Sequence, residues 1–199
     1  ADKLFINTTG LGVVDQNVQI SGANARPGDV IIVSGTLGDH GITVLAAREG
    51  LGFETDLVSD AAPLNHLVQT MLAAGKIHTL RDPTRGGLAT SLVEIAEQSD
   101  VTLLIEEDKL PVKPAVQAAC EMLGFDPLFI ANEGKLVAFV PPEDAEAVLA
   151  RMRQTRYGKD AMVIGRVMNA GKAKVQLRTA IGGTRLLDML PGELLPRIC

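Results

Sequence analysis

The residue with the most evident chemical potential is the last one, Cys199. A cysteine thiolate is a nucleophile and can carry a reacting group as a covalent adduct. Pro191 and Pro196 favour an extended tail over a helix, and such a tail reaches roughly 30 Å at about 3.3 Å per residue. We therefore expect residues 189–199 to form a flexible tail that carries the thiol between sites. An inert surface cysteine is the alternative.

A second candidate is Glu133, in the segment 132–135 (Asn-Glu-Gly-Lys) that directly precedes an apolar run. A carboxylate at the boundary of an element can be held by packing and still reach a substrate, as a general base must. Taken alone, however, Glu133 and Lys135 are more simply interpreted as a surface ion pair, which is common and contributes little free energy. The residues themselves leave both interpretations open.

The loop at residues 34–41 follows a β-branched run and contains Gly35, Gly38 and His40. Glycines at such a position allow a tight turn and the close approach of a ligand, and free N–H groups at a helix N-terminus favour an anion such as phosphate. The loop matches neither common nucleotide-binding glycine motif, so a tight turn without a ligand is equally compatible with it. Of the three histidines, His40 is the best placed for a site.

A further loop, residues 82–87, combines polar side chains with paired glycines: Asp82, Thr84, Arg85, Gly86 and Gly87. The aspartate or the threonine can cap the helix that follows, the glycines can expose backbone donors, and the arginine suits a phosphate. An ordinary capped helix is the alternative. We favour a ligand-binding loop, because a cap requires neither two glycines nor an arginine.

Alternating strands and helices must position these loops. Apolar periodicity predicts strands at residues 4–14, 30–34, 77–81, 101–106, 136–140, 161–167 and 173–177, and helices at 42–48, 64–74, 88–98, 113–123 and 145–154. The run 30–34 is apolar without alternation, which is typical of a strand buried on both faces. Cys120 falls within an amphipathic helix and is expected to be a buried hydrophobic residue.

Composition limits the class of protein. The 199 residues are 46% hydrophobic and include only two cysteines and three scattered histidines, which argues against a disulfide framework or a metal centre. No apolar run approaches the roughly 18 residues of a membrane span, and we expect a cytoplasmic protein. Residues 151–199 carry ten Lys or Arg against three Asp or Glu. Because few aromatic residues accompany them, a solvated face or a docking surface for an acidic partner is favoured over nucleic acid.

Five segments together resemble a known family: residues 4–10, 28–35, 82–87, 132–135 and 196–199. They are similar to HypE, the carbamoyl dehydratases of [NiFe]-hydrogenase maturation. These belong to the superfamily of aminoimidazole ribonucleotide (AIR) synthetase, selenophosphate synthetase and thiamine-phosphate kinase. The segments 28–35 and 82–87 are typical of the whole superfamily, whereas the Pro-Arg-Ile-Cys ending is specific to HypE. The resemblance covers the whole chain.

The resemblance implies an ATP-dependent reaction on the C-terminal thiol. A carbamoyltransferase, HypF, would load Cys199 as a thiocarboxamide, and dehydration with Glu133 as the proton-abstracting base would give a thiocyanate. The cyano group would pass to iron on a HypC–HypD complex and become a ligand of the hydrogenase. Mg²⁺ would accompany ATP. The residues implied in cofactor binding are Asp82, Thr84, Arg85, Gly86, Gly87, Gly35, Gly38, His40 and Asn132, with no metal ligand among them.

The resemblance also implies how the chain is organised. Residues 1–27 would be the remnant of an N-terminal domain that binds ATP and most of the Mg²⁺ and forms the homodimer of the full-length protein. Residues 28–188 would form an AIR synthetase-like domain, an α/β (α+β) sandwich with a mixed sheet and helices mainly on one face. We expect this chain alone to be inactive. The alternatives are another ATP-dependent synthetase or kinase of the superfamily, and a carrier or docking fragment without activity of its own.

Overall fold

The computed structural model describes residues 9–49 and 56–189. The strands are β1 (Val30–Val33), β2 (Thr79–Arg81), β3 (Val101–Glu106), β4 (Val137–Val140), β5 (Met162–Ala170), β6 (Lys174–Arg178) and β7 (Thr184–Leu187). The helices are α1 (Asp39–Glu49), α2 (Asn65–Leu72), α3 (Gly87–Ser99), α4 (Pro114–Leu123) and α5 (Pro142–Arg153), with 3₁₀ turns η1 (Glu107–Lys109) and η2 (Pro127–Phe129). The predicted helices and six of the predicted strands are confirmed within a few residues.

One strand prediction needs correction, and one strand was not predicted. Residues 9–14 of the strand predicted at 4–14 form no strand, and Leu11 and Val13 are fully exposed there; residues 4–8 lie outside the described part of the chain. The strand β7 was not predicted, because three of its four residues are exposed and it shows no apolar alternation.

The strands form one mixed sheet in the order β2-β4-β1-β5-β3-β6-β7. The β3–β6 pair is parallel, and the remaining pairs are antiparallel. The end of β1, the end of β2 and the start of β4 meet at one edge, since Val137 is in register with both Val33 and Arg81. The α/β class and the mixed sheet are therefore confirmed.

The central strands are buried on both faces. In β1, Ile31 belongs to a cluster with Leu92 of α3, whereas Ile32 belongs to a cluster with Met71 of α2 and Val148 of α5. The expectation of helices mainly on one face is corrected accordingly: α3 covers one face, and α2 with α5 cover the other. The continuous apolar run at 30–34 had indicated such double burial. No helix in the described segments is long and apolar enough to cross a membrane.

Residues 18–28 are hydrogen-bonded to β2 and α3. The hydroxyl of Thr79 donates to the carbonyl of Ser21 at 2.7 Å, and the hydroxyl of Ser99 donates to the carbonyl of Gly22 at 2.7 Å. Beyond this segment, Asp29 and His78 form a buried pair, 2.9 Å from Oδ2 to Nδ1, that joins the starts of β1 and β2. These contacts hold the segment to the domain. The division of the chain at residue 27 stays a prediction.

Replacing Phe139 by Ala should strongly destabilise the domain. Its side chain is fully buried in β4, and removing a buried phenylalanine costs about 3–5 kcal/mol. The exposed Ile181 (96% accessible) provides a matched control, since Ile181→Ala should change the free energy of unfolding by less than about 0.5 kcal/mol. Urea denaturation of the two variants measures the difference. Equal stability of both would contradict the described core.

Candidate functional site

Asn132 joins three of the predicted loops. Its side chain is buried, and Oδ1 accepts the N–H of Gly38 at 2.9 Å. Its Nδ2 donates to the carbonyl of Pro83 at 3.0 Å and to that of Ile130 at 3.1 Å. The loops 34–41, 82–87 and 132–135 are therefore in direct contact at one edge of the sheet. We call this the loop junction.

The loop at 82–87 brings α3 against η2. A Cβ at Gly87 would lie 2.5 Å from the carbonyl oxygen of Leu128 and 2.7 Å from that of Ile130, so only glycine allows the helix to approach this closely. Gly86 occupies the N-cap in a left-handed conformation (φ 69°), and no side chain caps the helix. Neither Asp82 nor Thr84 caps α3 with its side chain, so the alternative of an ordinary capped helix is not what the structure shows. The carbonyl of Thr84 accepts the N–H of Gly87.

The start of α1 is occupied by a buried carboxylate. Asp39 Oδ2 accepts a hydrogen bond from Thr36 at 2.6 Å and pairs with Lys113 Nζ at 2.8 Å. Its neighbour His40 places Nδ1 2.8 Å from the hydroxyl oxygen of Ser59. Asp39 Oδ1 and His40 Nε2 are buried and have no hydrogen-bond partner within the described segments. Two polar atoms are thus left to interact with a further group beside the loop junction.

Glu133 lies next to Asn132 and is half-buried. Its N–H donates to Asp60 Oδ1 at 2.9 Å. Lys135, the expected ion-pair partner, instead places Nζ 3.3 Å from Asp60 Oδ2. Among residues 9–49 and 56–189, no cation lies within ion-pair distance of the Glu133 carboxylate. The interpretation of Glu133 and Lys135 as a surface pair is therefore wrong.

The other predicted site residues lie around the junction in different settings. Asp82 and Arg85 are exposed, and Thr84 is half-buried. Gly35 lies under the stem of Lys135, whose Cε would be 3.2 Å from a Cβ at that position. Cys199 lies outside the described residues. The assignments of all these residues to catalysis or to cofactor binding stay predictions.

Ser59 and Asp60 were not identified from the sequence. They contact His40 and Glu133 from a segment that is distant from both along the chain. The only sequence signal is a pair of turn-forming polar residues followed by Ala-Ala-Pro, which indicates a loop and no particular partner. Within the described segments, no group of three His, Cys, Asp or Glu side chains is arranged to hold a metal ion.

Comparison with known proteins extends over the whole chain. Residues 26–178 match the family described as AIR synthase related protein, C-terminal domain. The chain is 54% identical over 199 residues to the carbamoyl dehydratase HypE of Cupriavidus necator, covering 100% of this chain and 57% of that protein. It therefore spans less than two thirds of the length of that relative.

Two solved structures are similar to this one. A crystal structure of the hydrogenase maturation protein HypE in complex with ATP has a TM-score of 0.85 at 51% identity, covering 90% of this chain and 55% of that one. A crystal structure of a HypE–HypF complex has a TM-score of 0.81 at 48% identity, covering 85% and 55%. The predicted resemblance to HypE is confirmed. Since the family match spans residues 26–178, which include the whole loop junction, the chain belongs to the AIR synthase related family and contains its C-terminal domain.

Proposed function

We propose that this chain is the C-terminal part of an ATP-dependent carbamoyl dehydratase that supplies the cyanide ligand of [NiFe]-hydrogenase. The observation that carries the proposal is the position of Glu133: it lies at the loop junction, and Lys135, the nearest cation along the chain, pairs with Asp60 instead. The similarity to HypE proteins along the whole chain supports the same reaction.

In this proposal Cys199 is the covalent carrier. Its sulfur takes a carbamoyl group from HypF and holds it as a thiocarboxamide, R–S–CO–NH₂. Loss of water converts this group to a thiocyanate, R–S–C≡N, while the carbon–sulfur bond remains intact. The carrier residue therefore keeps the reacting carbon attached to the chain between loading and transfer.

Glu133 would abstract the N–H protons. A general base must reach the nitrogen and must be unprotonated and unpaired when the proton leaves. The backbone of Glu133 is fixed by Asp60 and by its neighbour Asn132, whereas its carboxylate is not engaged by a cation among the described residues. This combination of a held main chain and an available carboxylate is what the role requires.

The loop junction also has features that fit ATP. Asp39 Oδ1 and His40 Nε2, which have no hydrogen-bond partner in the described part of the chain, offer polar contacts, and buried polar atoms normally have a partner. We assign Thr84, Arg85 and the glycines of both loops to the same surface. ATP, when bound, supplies the phosphoryl group that makes the carbamoyl oxygen a leaving group. No Mg²⁺ ligand is assigned to the described residues, which contain no suitable cluster.

The proposal also includes the partners and the setting. HypF would load the thiol, and this assignment is supported by the similarity to the HypE chain of a HypE–HypF complex. A HypC–HypD complex would accept the cyano group. The full-length protein would act as a homodimer in the cytoplasm, and this chain alone would carry the group without dehydrating it.

Replacing Glu133 by Gln in the full-length protein should block dehydration and spare carbamoyl loading. The amide cannot accept the proton, and loss of a general base typically costs about 10²–10⁴ in rate. Intact mass spectrometry after incubation with HypF, carbamoyl phosphate and ATP distinguishes a carbamoyl adduct from a cyano adduct. The expected product of the variant is the carbamoyl adduct alone.

Two comparisons complete that experiment. Cys199→Ala should form no adduct; if it instead turns over ATP with a small substrate, the chain serves a different synthetase or kinase reaction. If the Glu133→Gln protein forms the cyano adduct on Cys199 at the normal rate, Glu133 is excluded as the base.

Cys120 should remain unmodified in the same experiment. Burial, together with the nearby carboxylates of Asp126 and Glu121, raises the pKa of the Cys120 thiol to about 11. At pH 8 the thiolate fraction is therefore about one in a thousand, far below that of an ordinary thiol. Peptide mapping after iodoacetamide treatment at pH 8 should find label on Cys199 and not on Cys120. Rapid labelling of Cys120 would contradict its described burial.

Replacing Asn132 by Asp should destabilise the loop junction. Asp has the same shape but lacks the two N–H donors, so its oxygen would face the carbonyls of Pro83 and Ile130. Leaving buried polar groups unsatisfied costs about 1–3 kcal/mol each. Asn169→Asp, at an exposed position of β5, is the matched control and should be neutral. Denaturation midpoints compare the two, and equal midpoints would argue against the junction.

A further inference from the structure

Asp60 contacts the segment that contains the proposed base, Glu133. Its side chain is only 2% exposed. Oδ1 accepts the N–H of Glu133 at 2.9 Å and that of Gly134 at 3.3 Å. Oδ2 makes no hydrogen bond within the described segments and lies at ion-pair distance, 3.3 Å, from Lys135 Nζ. One carboxylate therefore contacts three consecutive residues, the first of which is the proposed base.

Residues 60–62 and 133–134 are packed so closely that no side chain fits between them at position 134. A Cβ at Gly134 would overlap the carbonyl oxygen of Asp60 and lie 2.6 Å from the N of Ala62. Only glycine at 134 allows this approach. The main chain at 133–134 is consequently fixed by residues 60–62 through both packing and hydrogen bonds.

Asp60 also determines where the charge of Lys135 lies. The lysine stem passes over Gly35, and its side chain is 12% exposed. A buried ammonium requires a negative partner. If Asp60 were neutral, the nearest carboxylate along the chain would be Glu133, two residues away. Pairing with Lys135 would then engage the oxygens that have to accept a proton.

We propose that Asp60 is a positioning residue for the dehydration: it fixes the main chain of Glu133 and holds Lys135 away from the Glu133 carboxylate. This inference rests on the proposed function of Glu133. It assigns Asp60 no direct contact with the substrate. Its effect on the reaction passes through Glu133 and Lys135.

The test uses the full-length protein and the variants Asp60→Asn and Asp60→Asn/Lys135→Met. Asn keeps one oxygen acceptor for the two N–H groups, removes the charge and replaces the oxygen that faces Lys135 by an NH₂ group. Conversion of thiocarboxamide to thiocyanate on Cys199 is followed by intact mass over a single turnover. We expect Asp60→Asn to slow conversion about tenfold, less than the roughly hundredfold that a 1 Å misplacement of a reacting group can cost, with the half-saturating ATP concentration unchanged. The double variant should recover most of the rate.

Removing both charges can also restore stability that is lost when only one is removed. Urea denaturation of both variants therefore accompanies the rate measurements. A rate that stays low in the double variant, or that only follows the loss and recovery of stability, would overturn the proposal. A normal rate in Asp60→Asn would overturn it too. The exposed pair Asp160 and Lys159 (4.0 Å) supplies matched controls, because Asp160→Asn and Asp160→Asn/Lys159→Met should both convert at the normal rate.

The same samples distinguish this proposal from the proposed function. A cyano adduct in the unmodified protein that is absent in Glu133→Gln supports the function, whatever Asp60→Asn does. If the unmodified protein forms no cyano adduct, the function and the role of Asp60 fall together. If it does, and Asp60→Asn keeps pace with it, the role of Asp60 alone is refuted.

Discussion

The hydrogen bonds of the Asn132 side-chain amide are the interactions on which the candidate site depends. The amide uses its oxygen for Gly38 and both hydrogens of its nitrogen for Pro83 and Ile130. An aliphatic side chain would satisfy none of these groups, and a carboxylate would satisfy only the first. Because the amide is buried and fully paired, it connects loops that are far apart in the sequence through a network in which every contact supports the others.

The sheet determines that these loops meet at all. Loops 34–41 and 82–87 follow the ends of β1 and β2, and segment 132–135 precedes β4. Antiparallel pairing of β4 with both strands brings the three to one edge. Ser34, which follows β1, and Leu136, which precedes β4, are also bonded. The N–H of Ser34 donates to the carbonyl of Leu136 at 3.0 Å, and the N–H of Leu136 donates to the hydroxyl oxygen of Ser34 at 3.0 Å. The position of Glu133 is therefore set by its proximity to β4, a strand in which all four residues are buried.

The sequence predicted the elements much better than the contacts between them. Apolar periodicity is a local property, so it identified the helices and all strands that have a buried face. It could not reveal that Asp60 would contact Glu133, since the two lie 73 residues apart. For the same reason, the sequence offered Lys135 as a local partner of Glu133 and side-chain caps as an alternative for α3. Both were displaced by groups that only the tertiary fold brings near.

The Asp60–Lys135 pair matters less for stability than for the residues beside it, Glu133 and Gly134. Burying an ion pair often contributes little net stability, because desolvation of both charges offsets their attraction. A hydrophobic pair of similar volume would therefore serve the packing between residues 60–62 and 133–135 equally well. Such a pair would leave the N–H groups of Glu133 and Gly134 without their acceptor, and it would provide no charge to balance a cation beside the site. The physical advantage of a carboxylate at position 60 is that a single group anchors the main chain and engages the lysine, while the adjacent carboxylate of Glu133 has no ion-pair partner among the described residues.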